Sequence, residues 1–157
     1  MTSRLPRLSV VILAVLALSA CSAAAGADEA SSGTGGTIEL AISETCAEGS
    51  DSQCVSVNGE NVLLPSAFEQ AGVEESSVTG GGQNAVDVTF NADGAEVLHA
   101  LTEKAARAGD SARLVISIGG ELQAAVVVME ALEGDQVQIA LSPDDNVQEI
   151  VDLIQGG

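Results

Sequence analysis

The sequence predicts an α+β domain: a small antiparallel or mixed sheet with two helices packed on one face. Three observations carry this expectation. Short segments of alternating apolar and polar residues recur between Thr37 and Leu141. Two longer segments, after Asn91 and after Ser142, place apolar residues at helical spacing behind capping residues. The second half runs β-α-β-β-β-α, an order that points to an antiparallel or mixed sheet covered by helices.

The domain follows a leader and a tether. Arg4 and Arg7 precede an apolar run of eleven residues, Leu8 to Leu18. A spanning helix needs about 20 apolar residues, so this run reads as the core of a signal peptide over residues 1–20. Leu18-Ser19-Ala20-Cys21 reads as a lipobox, with Cys21 the residue that receives lipid. Diacylation plus N-acylation would hold firmly, at about 0.8 kcal/mol per buried methylene. Residues 21–36 are small, polar and Gly/Ser-rich, and read as the lipidated cysteine and a flexible linker. Fifteen such residues reach about 20 Å on average. The expected address is the cell membrane, lipid-anchored, on its extracytoplasmic side.

Within the domain, 37–157, Thr37 to Ile42 alternates as a strand. Cys46 and Cys54 follow. In an exported chain an even pair reads as a disulfide, here closing a nine-residue loop. Two thiolates at this spacing without a further His or Cys make a poor zinc site, and the spacing is not that of a redox Cys-x-x-Cys pair. Val55–Val57 and Asn61–Leu64 read as short strands about an Asn58-Gly59 turn. Pro65 opens a short helix through Gln70. Val73 to Val78 is weakly strand-like, and Gly80-Gly81-Gly82 is a loop.

The second half is more regular. Val86, Val88 and Phe90 alternate with Asp87 and Thr89 as a half-buried strand. Asn91 caps a helix that runs to Ala108, with Ala95, Leu98, Leu101, Thr102 and Ala105 on one stripe and Gly109 as its stop. Leu114, Ile116 and Ile118 mark a strand, Gly119-Gly120 a tight turn, and Leu122 to Met129 the return strand. After Gly134-Asp135, Val137, Ile139 and Leu141 alternate again. Ser142-Pro143-Asp144-Asp145 starts the last helix, whose stripe is Val147, Ile150, Val151 and Ile154.

Charge and composition exclude several function classes. The whole chain carries a net charge of −18. Losing Arg4 and Arg7 from five basic residues leaves Lys104, Arg107 and Arg113 against 23 acidic ones, a mature charge of about −20. Such a surface repels nucleic acid and anionic head groups. With no Trp or Tyr and only Phe68 and Phe90, aromatic-lined clefts and aromatic hot spots are nearly excluded. His99, the single histidine, lies in the 91–108 helix beside its apolar stripe and reads as a boundary residue. Gly80-Gly81-Gly82 lacks the Lys and Ser/Thr of a phosphate loop. Asp144-Asp145-Asn146 does not have calcium-loop spacing and reads as a cap. No nucleophile elbow is present. The sequence therefore predicts a non-enzyme with no cofactor and no metal.

The second half also carries a resemblance. Val86-Asp87-Val88-Thr89-Phe90 continues through Asp93-Gly94-Ala95 into Leu101-Thr102. Leu114 to Gly119-Gly120 and on to Val126, then Gly134 to Leu141 and Ser142-Pro143-Asp144 to the final glycines, complete the pattern. Over about residues 60–157 the chain resembles the head subdomain of the first extracytoplasmic domain of SecD, a translocation accessory protein. Val126 departs from it, standing where that family often has proline. The resemblance implies the fold and contact with exported polypeptides or Sec translocon components. SecD's proton-coupled translocation activity does not carry over, because the chain offers no membrane span for it. The function expected is a non-enzymatic, lipid-anchored protein-interaction module. The alternative is an envelope lipoprotein that binds a small ligand or a cation.

Overall fold

The computed structural model describes residues 33–156. The stretch expected to be a signal peptide, Cys21 and most of the expected linker lie outside them. The fold is α+β, with nine strands and two helices among the described residues. In chain order these are β1 (Gly33–Thr34), β2 (Thr37–Glu44), β3 (Cys54–Val57), β4 (Glu60–Leu63), β5 (Glu69–Val78) and β6 (Ala85–Phe90). Then come α1 (Ala92–Ala108), β7 (Ala112–Ile118), β8 (Glu121–Val126), β9 (Gln136–Ala140) and α2 (Val147–Gly156).

The main sheet has the order β8-β7-β2-β5-β6-β9, with β1 also on β5, and its pairings are antiparallel. Its pivot is β5. Residues Glu69–Gly72 pair with β2, and Val73–Val78 pair with β6. Between them the register slips at Val73/Glu75. On the facing strand Gly35 and Gly36 break β1 from β2 at φ 89° and 120°. Gly35 N donates to Glu74 O at 2.8 Å, and Val73 N to Gly36 O at 2.9 Å. Both strands thus bend at one place, as a bulge opposite glycines allows. Strand β1 therefore lies inside the stretch expected to be linker.

Alternate residues on the strands decide the layers. Ile38 and Leu40 on β2, and Leu114, Ile116 and Ile118 on β7, join Leu98 and Leu101 of α1 and Ile150, Val151 and Ile154 of α2 in one buried cluster. Both helices therefore cover the same face, as expected. The opposite face is also covered. The β3–β4 hairpin lays Val57 and Val62 over Val115 of β7, flanked by Phe68, Leu122 and Ala125.

Helix α1 starts as the sequence predicts: Asn91 Oδ1 accepts from Gly94 N at 2.9 Å. Gly94 is buried against β5, where a Cβ would run into the Gly72 backbone. Asn91 N reaches Gly72 O at 3.0 Å, so the helix start lies directly on the strand.

Three expectations fail. The helix from Pro65 to Gln70 does not form; the chain instead extends to put Phe68 on the hairpin side and starts β5 at Glu69. The weakly strand-like Val73–Val78 does form, as the last six residues of ten-residue β5. The return strand stops at Val126 and not Met129, because Leu132 N donates to Thr102 Oγ1 at 3.0 Å and ties the chain to α1. The last helix starts at Val147. Asn146 is its cap, accepting from Gln148 N at 3.1 Å, while Ser142–Asp145 forms a turn. Asn84 Nδ2 donates to Ser142 O and pins that turn to the start of β6.

Candidate functional site

The curl of the sheet brings its two ends to one place. Strands β8 and β9 terminate the strand order, and each pairs on one side only among the described residues. Between them opens a cavity of about 240 Å³. Its floor is core: Leu40 of β2, Phe90 of β6, Leu98 of α1, and Leu114 and Ile116 of β7. Ala124, Ala125 and Val126 of β8 form one wall, and Val137 and Ile139 of β9 the other. Leu132 stands at the α1 side.

Asn58 and Gln138 are the only polar residues of this lining. Asn58 sits at φ 48° and Gly59 at φ 85° in the β3–β4 turn, a left-handed pair that the Asn-Gly dipeptide favours. The turn reaches across to β9, where Asn58 Nδ2 makes a long 3.4 Å contact with Ala140 O. Gln138 Nε2 donates to Asp87 Oδ1 at 3.0 Å. The cavity therefore has an apolar depth, with the carboxamide of Asn58 among its lining residues and that of Gln138 bonded to Asp87 on the exposed face.

Val126 at the end of β8 and the segment 127–135 that follows it carry most of the exposed large apolar side chains of the described residues. Val126 is 42% exposed, Val127 49%, Met129 82% and Leu132 40%. This segment is strapped to α1 at Leu132 on both sides of its peptide: Leu132 N donates to Thr102 Oγ1, and His99 Nδ1 lies 3.0 Å from Leu132 O. Since a carbonyl only accepts, His99 carries its proton on Nδ1 here. The lone histidine is an exposed boundary residue that holds the strap.

Cys46 and Cys54 are bonded, with Cα atoms 6.0 Å apart, and they tie off the base of the hairpin on the other face. Ser43 Oγ donates to Leu63 O there, and Arg113 of β7 meets Glu60 of β4 at 3.0 Å. The structure does not bring these residues to the cavity. Gly80-Gly81-Gly82 is a turn between β5 and β6, with Gly81 and Gly82 at positive φ. Among the described residues no group of three or more His, Cys, Asp or Glu is placed to hold a metal. None of their helices is long and apolar enough to cross a membrane.

Sequence reasoning does not find the cavity. Leu40, Phe90 and Leu98 carry ordinary core periodicity, which does not distinguish a cavity floor from a filled core. The local signals present were the Asn58-Gly59 turn and the apolar run Val126-Val127-Val128-Met129, read as strand. In comparisons with known proteins, no family model, no curated protein and no solved structure matches the chain.

Proposed function

We propose that this chain is a lipid-anchored, extracytoplasmic module that binds other polypeptides and catalyses no reaction. One observation carries the reading: two sheet edges without a partner strand among the described residues flank an exposed apolar segment. Edge strands usually protect themselves with Lys, Pro or an inward charge. Strand β9, Gln136–Ala140, has none of these, and β8 has only Glu121 at its start. Extended chains add to such edges through backbone hydrogen bonds, with side chains settling alternately beside them. The lipobox at Cys21 and the resemblance of the second half to the SecD head support the same reading. They make exported polypeptides or Sec translocon components the partners, met at the membrane surface.

Crosslinking in intact cells tests it. Photo-crosslinkers at Val127 and Met129 should capture exported chains or translocon components. Recovery of neither, from protein that is present and folded, overturns the reading. Cys21→Ala should release the protein from membranes, and retention would remove the anchor from the account.

The cavity favours a second reading, an envelope lipoprotein that takes a small ligand. Thermal shifts with cationic peptides, calcium and small apolar compounds separate the two.

A further inference from the structure

We infer that the cavity between β8 and β9 binds a neutral, single-chain aliphatic molecule: an alkyl chain ending in a hydroxyl or ester group. The inference rests on the small-ligand reading and names its ligand class.

Depth argues for an alkyl chain over a polypeptide side chain. A peptide added to either edge lies at the surface, but this cavity passes between the edges to Leu40, Phe90 and Leu98, each at most 2% exposed. Its volume, about 240 Å³, exceeds the roughly 150 Å³ that holds a benzene in an apolar protein cavity. It falls just below the roughly 300 Å³ at which drug-sized sites begin. One slender chain fits that range.

Charge decides the head group. No lining residue is charged, and none of Lys104, Arg107 or Arg113 lines the cavity. The strap carries Glu130, Glu133 and Asp135, and Asp87 is bonded to the lining Gln138. A carboxylate or phosphate would meet these acids with no cation to offset them. A hydroxyl or ester can pair with Asn58, whose amide otherwise makes one long contact to Ala140 O, without cost in charge. The exposed Val126, Val127 and Met129 give an apolar approach to the opening.

The chain has no Trp or Tyr to report binding by its own fluorescence, so an added dye serves as the probe. Full-length Cys21→Ser chain, purified without detergent, is titrated with the neutral dye Nile red. Monodecanoylglycerol and decanoate then compete for the dye at pH 8. Monodecanoylglycerol should displace the dye, with decanoate about tenfold weaker or worse. Ala124→Leu, which fills the cavity from β8, should cut dye and monodecanoylglycerol affinity by about tenfold or more. Val126→Lys, at an exposed position beside the opening, should do the same should the leucine variant fail to fold.

Failure of Nile red to bind overturns both the small-ligand reading and this inference. Dye binding that monodecanoylglycerol does not compete, or that both variants leave unchanged, overturns the inference alone. Equal competition by decanoate overturns it too. Displacement by an unfolded polypeptide but not by monodecanoylglycerol would make the cavity a side-chain pocket of the polypeptide site.

Discussion

The two faces of the sheet are held by different means. On the helix face, eighteen buried residues from the main sheet and both helices form one cluster. On the hairpin face only Val57, Val62 and Val115 are fully buried, with Val55, Phe68, Leu122 and Ala125 partly so. A four-plus-four-residue hairpin offers little apolar area and is marginal by itself. It is accompanied by a disulfide, an ion pair and a serine–carbonyl hydrogen bond. Where burial is ample the chain uses packing. Where burial is scarce it adds covalent and polar ties.

Strand β7 gives the most direct break of this contrast, because it feeds both faces. Ile118 is fully buried toward the helices. Ile118→Ala should cost about 2–5 kcal/mol and lower the midpoint of urea unfolding followed by far-UV circular dichroism. A loss under 1 kcal/mol would mean that the helix face is not the main store of stability.

The hairpin face should yield less. Replacing both Cys46 and Cys54 by Ala removes a cross-link eight residues apart, worth about 2–3 kcal/mol by loop-closure entropy. The difference should also be local. Amide exchange should rise across 45–64 and stay unchanged in α1 and α2. Equal loosening of the helices would show that the two faces unfold as one unit.

Between them lies the helix start. Gly94→Ala puts a Cβ into the Gly72 backbone, which cannot move without shifting β5. The expected cost is about 1–3 kcal/mol, against the small gain alanine usually brings a helix. A stabilised variant would show that α1 can lift from β5 freely.

The same contrast governs what could be read from the sequence. Helix α1 was legible from end to end because Asn91 and Gly109 are local signals that tertiary structure did not override. The Asn58-Gly59 and Gly119-Gly120 turns were legible for the same reason, with all four residues at positive φ. Strand β5 was not. Its bulge sets Ala71 and Val73 out of phase with Ser76 and Val78, so no single alternation runs through it. Pro65 suits a first helical turn, but here the chain passes from it into that strand. Ser142 and Asn146 are both good capping types, so local signals do not choose between them; the structure caps with Asn146 and holds Ser142 in a turn pinned by Asn84. The cavity was hidden because it arises from sheet curl, and no periodicity separates a cavity floor from a filled core.

The smallest effect sharpens the contrast most. Glu60 is 39% exposed and Arg113 12% exposed, so their bridge is only partly shielded from water and salt. Glu60→Gln removes the charge but leaves a side chain of the same length. Arg113 keeps two backbone acceptors, Asp110 O at 2.7 Å and Ala112 O at 3.0 Å. The guanidinium is therefore not stranded, and the cost should be about 0.2–1 kcal/mol, less in high salt. Measured beside the double cysteine variant, this decides which tie holds the hairpin. A Glu60→Gln cost equal to that of the disulfide would make the ion pair the principal fastening of that face, and the cross-link secondary.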